Sequence, residues 1–390
     1  MNNSKNMNEH PLLSATQSLL PEIADGAQDY ELQQRIPDQL IEKLSEAGLF
    51  SVAVPREFGG PEHDPLLMFD ALESLATADA STAWVVLIIS ANPYLFANAL
   101  HEHVWQEIYG NDINTRTAGT LMPGGKARKV KGGYQVSGRF RYGSGSEHCE
   151  YLLSGCMVYE GDRLCTRDNG EPETRWVIHK TRDCEIVMDS WDSTGLRASS
   201  SHDYVIEDLF VPEDWSFVFG DTVHRLGNPV FTFPTLPFCQ LSAIALGLAR
   251  RSIDILRELA ETKRRGPMRL CDDPSVQLRV AEADAMTSAS RVYIKDVVSD
   301  LLASLHKGDP PSWEQRARFR LACTYSLDCA VKVIDMMYKN AGGSSVYKPN
   351  QLDRIFRDIH TAATHIRFSD LTYIQAGRML LGLDPNDPLF

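Results

Sequence analysis

Neither a GxGxxG stretch nor a P-loop occurs anywhere in the 390 residues, so neither a dinucleotide-binding Rossmann unit nor a P-loop nucleotide kinase can be built from them. Cysteine is present but unpatterned. The eight cysteines (149, 156, 165, 184, 239, 271, 323 and 329) form no CxxC pair and no Cys/His ligand spacing, which implies no metal site and fits reduced cytoplasmic thiols better than a disulfide framework. Basic runs are missing too. With 39 Lys and Arg against 52 Asp and Glu, the formal net charge is -13, which argues against nucleic acid or an anionic membrane as partner. The best transmembrane candidate, residues 83–100, is diluted by Ser90 and Asn98 and interrupted at Asn92-Pro93, and reads as two buried helical pieces. The opening MNNSKNMNEH lacks the apolar core of a signal peptide or anchor and is expected to be a frayed tail. What remains is a cytoplasmic protein whose partners are small molecules or other proteins.

A hydrophobic content of 43% over this length can bury a large core in two or three domains. Caps and periodicity predict helices over 14–34, 37–47, 65–78 and from 82 onward, so residues 1–115 read as an α-helical domain. From residue 116 glycines and β-branched residues recur at short intervals, as in PGGKARKVKGGYQVSGRFRYGSGSEHCEYLLSGCMV. That texture predicts a β domain over 116–225, with a hairpin turn at Gly132-Gly133 and strands over 134–142 and 151–159 as neighbours. Residues 226–390 turn helical again over 236–262, 274–306, 313–340 and 352–381, the pattern of a four-helix bundle. The fold class is α+β.

One stretch of that last segment, NQLDRIFRDIHTAATHIRF at 350–368, has two faces that both look buried. At about 100° per residue, Leu352, Ile355, Phe356, Ile359, Ala363 and Ile366 form one apolar stripe. Arg354, Asp358, Thr361 and His365 fall on the other side, flanked by Arg357 and Thr364. That second face has few of the Lys and Glu residues a solvated face prefers, so it reads either as facing a polar ligand or as a structural Arg–Asp network with a satisfied histidine. The runs Ser144-Gly145-Ser146 and Ser199-Ser200-Ser201 bring hydroxyls and accessible backbone, which serve turns or a cofactor equally well.

The order helical domain, β domain, helical bundle, with the pieces GLFSVAVPREFGG, SLATADASTAW, GGYQVSGRFRYGSGSEHCEY, STGLRASSSHDYVIEDLFVP and RIFRDIHTAATH, resembles the acyl-CoA dehydrogenase family over essentially the whole chain. PGGKARKVKGGYQVSGRF followed by SGSEH, and RD with a histidine shortly after, are similar to the family's flavin-dependent monooxygenase branch. That branch includes the oxygenase components of p-hydroxyphenylacetate hydroxylase and seco-steroid hydroxylase, and dibenzothiophene monooxygenase. The resemblance implies an N-terminal α-helical domain, a central β-barrel or sandwich and a C-terminal four-helix bundle. It also implies a homotetramer, to which SAIALGLA at 242–249 and the apolar stripes of the later helices would contribute packing.

By the same resemblance the chain is the oxygenase component of a two-component monooxygenase. An NAD(P)H-dependent reductase supplies reduced FMN or FAD, a C4a-hydroperoxyflavin forms with O2, and an aromatic or other electron-rich small molecule is hydroxylated. Tyr142, Gly143 and Ser144 would occupy the strand against the isoalloxazine, with Ser144 at its N5 edge, and Thr120, Met122, Ser199 and Ser201 would line the same cofactor. His365 and Ser144 become the catalytic candidates, with Trp84, Asn92 and Phe238 on the substrate side. Ile366 stands where the family's dehydrogenases carry a glutamate base, and residues 237–240 offer no carboxylate either. A dehydrogenase with a relocated base and a non-catalytic flavin-binding homologue are the alternatives. Two departures matter. Asn92 stands where some phenol hydroxylases of the branch carry a histidine, which leaves other aromatics, heteroatom centres and amines open as substrates. KRRGPM at 263–268 replaces the family's Arg-x-x-Phe-Gly phosphate motif, so Arg264 is a candidate phosphate contact and FMN stands beside FAD.

Overall fold

A computed structural model describes residues 10–348, 350–365 and 368–385. The N-terminal nonapeptide and Ile366, both singled out above, lie outside the described residues. The first part is helical: α1 (Pro11–Gln33), α2 (Asp38–Glu46), α3 (Pro65–Ala78), α4 (Ala80–Phe96) and α5 (Glu102–Tyr109). Local chemistry sets their ends. Asp64 caps α3 by accepting the Leu66 N–H at 2.7 Å, and Asp79 caps α4 by accepting the Thr82 N–H at 2.7 Å, each satisfying a backbone donor that the first turn leaves open.

Helix α4 is buried along almost its whole length, which accounts for a sequence without charges. It does not break at Asn92-Pro93, contrary to the expectation of two pieces. Pro93 sits in the last turn before Phe96, where its missing N–H forfeits a single helical bond to Ile89, and a 3-10 turn at Ala97–Ala99 follows.

The central part is a mixed sheet built from β1 (Thr117–Val130), β2 (Gly133–Phe140), β3 (Tyr151–Glu160), β4 (Arg163–Leu164), β5 (Thr174–Lys180), β6 (Glu185–Val187), β7 (Asp203–Pro212) and β8 (Ser216–Phe217). The hydrogen-bonded order is the open path β6-β7-β2-β1-β3-β5-β8, with β4 on β3. The β1–β2 hairpin forms where expected, Val130 pairing with Gly133. The second and third strands are not neighbours, however. Strand β1 lies between them, antiparallel to β2 and parallel to β3. The ten-residue connection after Phe140 is too long for a tight hairpin, and its Ser-Gly turns carry the chain across to the far edge of β1. Between Thr120 and Gly125 the β1–β3 register shifts, so the backbone there leaves the ladder and turns toward the helices.

The last part begins with a helical turn at Leu236–Phe238 and continues as α6 (Cys239–Thr262), α7 (Pro274–His306) and α8 (Trp313–Ala341), the last opened by a Ser312/Gln315 capping box. Between α6 and α7 lies a small ribbon, β9 (Arg264–Arg265) with β10 (Met268–Arg269). All eight residues of the 242–249 run are buried, where small side chains let α6 approach α3. The expected helix over 352–381 is in fact two, α9 (Gln351–Ala362) and α10 (Asp370–Leu380). The Thr361 hydroxyl donates to Arg357 O at 2.9 Å and that of Thr364 to Thr361 O at 2.8 Å, competing with the helical ladder where it stops. The turn that follows takes His365 out of helical register. Helices and sheet share one continuous apolar core.

Candidate active site

Where α4, the bulged part of β1, the Ser-rich loops and the end of α9 meet, they enclose a cleft of 690 Å³, a size suited to small molecules. Trp84, Asn92, Thr120, Met122, Tyr142, Ser144, Ser201, Phe238 and His365 all line it. Gly143 stands just behind, its N–H donated to His202 O at 2.9 Å, and Ser199 is fully buried beneath Ser201. Arg264 does not join them. It is exposed on the β9–β10 ribbon and donates to Pro267 O at 2.7 Å, so within one chain it is not a contact of this cleft.

Hydroxyls form the floor. Trp84 Nε1–H donates to Ser144 Oγ at 3.1 Å. Ser144 and Ser201 are 2.6 Å apart, Ser201 and Ser199 2.7 Å, and Ser199 donates to Leu196 O at 2.6 Å. Tyr142 holds its ring at the mouth from a left-handed backbone, φ 64°, a conformation that costs a non-glycine residue energy and recurs at functional sites. Its ring meets Trp191 edge-on at 6.3 Å.

Beside this floor, α9 shows that its polar face has two uses. Arg354 and Asp358 serve the structure: Arg354 Nε lies 4.0 Å from Asp79 Oδ1, and Asp358 Oδ1 accepts the Leu196 N–H at 2.7 Å. Burial, reinforced by the charge of Asp79, pushes the Asp358 carboxyl up to about 7. Burial also raises Asp79, against the pull of Arg354. Arg357 pairs with Asp353 at 2.8 Å and with Glu31. Thr361, Thr364 and His365 instead face the cleft, the His365 ring lying 6.1 Å from that of Trp84 in an edge-on arrangement.

Among the described residues no Asp or Glu lines the cleft, whereas Arg320, only 8% exposed, does. Asn92 is buried with its Nδ2 unpartnered. Sequence reasoning missed Arg320, Trp191 and Leu196. The signal for Arg320 was a cation within the apolar stripe of α8, between Phe319 and Cys323, both buried. The residues present fit an isoalloxazine. Trp84, Trp191 and Tyr142 offer aromatic walls, Ser144 and Ser201 offer hydroxyl oxygens, and Thr120, Leu121 and Met122 line the cleft where the β1–β3 register shifts.

Models of the acyl-CoA dehydrogenase N-terminal domain and C-terminal domain match residues 14–104 and 239–370. The chain is similar to the indole-3-acetate monooxygenase of Pseudomonas putida, 30% identical over 95% of this chain and 94% of that protein. It is also similar to the flavin-dependent monooxygenase oxygenase subunit HsaA of Rhodococcus jostii, 29% identical over 95% of this chain and 98% of that one. The crystal structure of 3-HSA hydroxylase from Rhodococcus sp. RHA1 superposes with a TM-score of 0.89 at 26% identity, covering 98% of this chain and all of that one.

Proposed function

The chain belongs to the acyl-CoA dehydrogenase family and is a flavin-dependent monooxygenase that uses reduced flavin and O2; we propose that it receives its flavin from a separate NAD(P)H-dependent reductase and hydroxylates an aromatic substrate bearing an acidic or acceptor arm. Bound reduced flavin supplies two electrons, so that one oxygen atom of O2 enters the substrate and the other leaves as water. The chain's own residues bind, orient and exclude water.

The observation that carries this reading is that Ser144 and His365 share one cleft with Trp84 between them, while no carboxylate lines it among the described residues. A dehydrogenase needs a base beside the flavin. The buried acid of α9, Asp358, gives one oxygen to the Leu196 N–H and does not line the cleft, so among the described residues the dehydrogenase alternative has no base at the cleft. Ser144 is assigned to the flavin N5 edge, and His365 to holding or moving the proton at the oxygen being transferred. Asn92, Phe238 and Arg320 are assigned to the substrate. An aryl ring suits the apolar wall of Leu87, Ile88 and Phe238, and an acceptor arm suits the Asn92 amide and the positive charge of Arg320 on the same cleft. The relative named for indole-3-acetate acts on such a molecule. FMN and FAD both remain compatible, and a cytoplasmic location beside the reductase follows from the same reading.

The test supplies chemically reduced FMN or FAD, 18O2 and a panel of arylacetates, phenols and indoles. One 18O atom in a product is expected. No oxygenated product from any of them, together with oxidation of an acyl-CoA, would overturn the reading.

A further inference from the structure

The hydroxyl chain beneath the cleft has a fixed direction. An indole N–H can only donate and a peptide carbonyl can only accept, while a serine hydroxyl has one proton to give. Leu196 O therefore takes the Ser199 proton at 2.6 Å. With that proton spent, Ser199 must accept from Ser201 across 2.7 Å, and Ser201 must accept from Ser144 across 2.6 Å. Ser144 in turn accepts from Trp84 at 3.1 Å. Every hydroxyl proton in the relay is committed. Ser144 and Ser201, the two that line the cleft, have only lone pairs to offer it.

We propose that this pinned relay makes the site select reduced over oxidised flavin, with Ser201 and Ser199 as specificity-determining residues acting through Ser144. The proposal rests on the reading that Ser144 meets the flavin N5 edge. A reduced isoalloxazine carries a hydrogen on N5 and donates it, whereas the oxidised ring presents a lone pair there. Against the reduced ring, Ser144 accepts and every bond of the relay survives. Against the oxidised ring, Ser144 either faces lone pair with lone pair or withdraws its proton from Ser201, which leaves a buried hydroxyl oxygen without its donor. The difference amounts to one buried hydrogen bond, on the order of tenfold in relative affinity. An oxygenase that borrows its flavin gains from this at both ends of turnover, since reduced flavin is retained and oxidised flavin is released.

Dissociation constants of oxidised flavin, and of dithionite-reduced flavin measured anaerobically, test the proposal on the full chain without turnover. FMN and FAD are each titrated, and the tighter is used. Wild type is expected to prefer the reduced form by about tenfold or more. Ser201→Ala removes the acceptor of the Ser144 proton, and Ser199→Ala frees the Ser201 proton to turn toward Ser144 or the cleft, so each should tighten oxidised flavin and lower the preference severalfold. Ser201→Thr keeps the hydroxyl and should keep the wild-type ratio, which separates relay loss from general damage to the fold. Ser144→Ala should weaken binding of the reduced form and erase the preference. If Ser144→Ala does so while the Ser199 and Ser201 variants keep the wild-type ratio, the relay is wrong and the flavin site stands. If Ser144→Ala changes neither constant, the site assignment itself fails, and the relay with it.

Discussion

Asp358 Oδ1 accepts the backbone N–H of Leu196 at 2.7 Å, joining α9 to the loop whose carbonyl ends the hydroxyl chain. Gly195 permits this approach: a Cβ there would lie 2.2 Å from Arg357 O, so any other residue would push the loop off the helix. One carboxylate thus sets the position of Leu196, and Leu196 O fixes the direction of the serines. Helix, loop and cleft floor are mechanically one unit.

The buried Asp358 has a pH signature. Its carboxyl is raised to about 7 by burial and by Asp79, so the folded state holds a proton that the unfolded chain releases near pH 4. The stability this group contributes is complete below about pH 4 and is lost as pH rises through about 7. Asp358→Asn keeps an acceptor for the Leu196 N–H without the charge. Relative to wild type it should gain stability on going from pH 5 to pH 8, by about 2.5 kcal/mol. Denaturant unfolding of both proteins at the two pH values checks this, and a difference that stays constant would show that Asp358 does not titrate in this window.

The three-part α+β architecture was legible in the sequence because each part has its own period: helical stripes, then glycines at turn spacing, then long helical stripes again. What was not legible is non-local. The insertion of β1 between β2 and β3 depends on where a ten-residue loop returns, and hairpin logic cannot see that. The break after Ala362 depends on Thr361 and Thr364 choosing backbone partners, although the apolar period runs on past them. In the cleft, residues carried by recognisable segments, such as Ser144, Trp84 and His365, were found. Arg320, 52 residues beyond the 263–268 segment that drew attention to Arg264, was not, since a single cation inside an apolar stripe gains meaning only when the opposite wall is known.

Arg320 should govern substrate charge. It brings a positive charge to a cleft whose described lining has no acidic side chain. Arg320→Gln is expected to raise KM for an arylacetate by roughly 10- to 100-fold, the worth of a charge-assisted hydrogen bond. For the matching uncharged arene it should change KM little. Equal losses on both substrates would assign Arg320 to structure alone.

Assembly is the next expectation, a homotetramer. Leu371 and Ile374 on α10, with Leu380 and Leu381 at its end, are 56, 60, 60 and 79% exposed, an apolar surface that a solvated helix does not usually present. Light scattering should give a mass four times that of the chain. A stable monomer at micromolar concentration would overturn this, and with it any role for Arg264 in a neighbouring subunit's flavin site.

His365 is where structural and catalytic roles separate most sharply. Its ring sits edge-on to Trp84, whose Nε1–H is held by Ser144, and so lies over the part of the cleft assigned to the flavin's reactive edge. A side chain that only satisfied a polar network would, on replacement, cost on the order of 1–3 kcal/mol of stability and leave activity per folded molecule intact. A side chain that holds or moves a proton at the transferred oxygen would do the reverse. His365→Asn is therefore expected to keep the melting temperature and reduced-flavin affinity near wild type while product falls at least tenfold and hydrogen peroxide rises in its place. The two quantities to measure together are melting temperature and the ratio of product to peroxide, with reduced flavin supplied chemically so that no reductase enters the assay. Wild-type hydroxylation with a lowered melting temperature would remove His365 from the chemistry and leave it as part of the packing between α9 and α4.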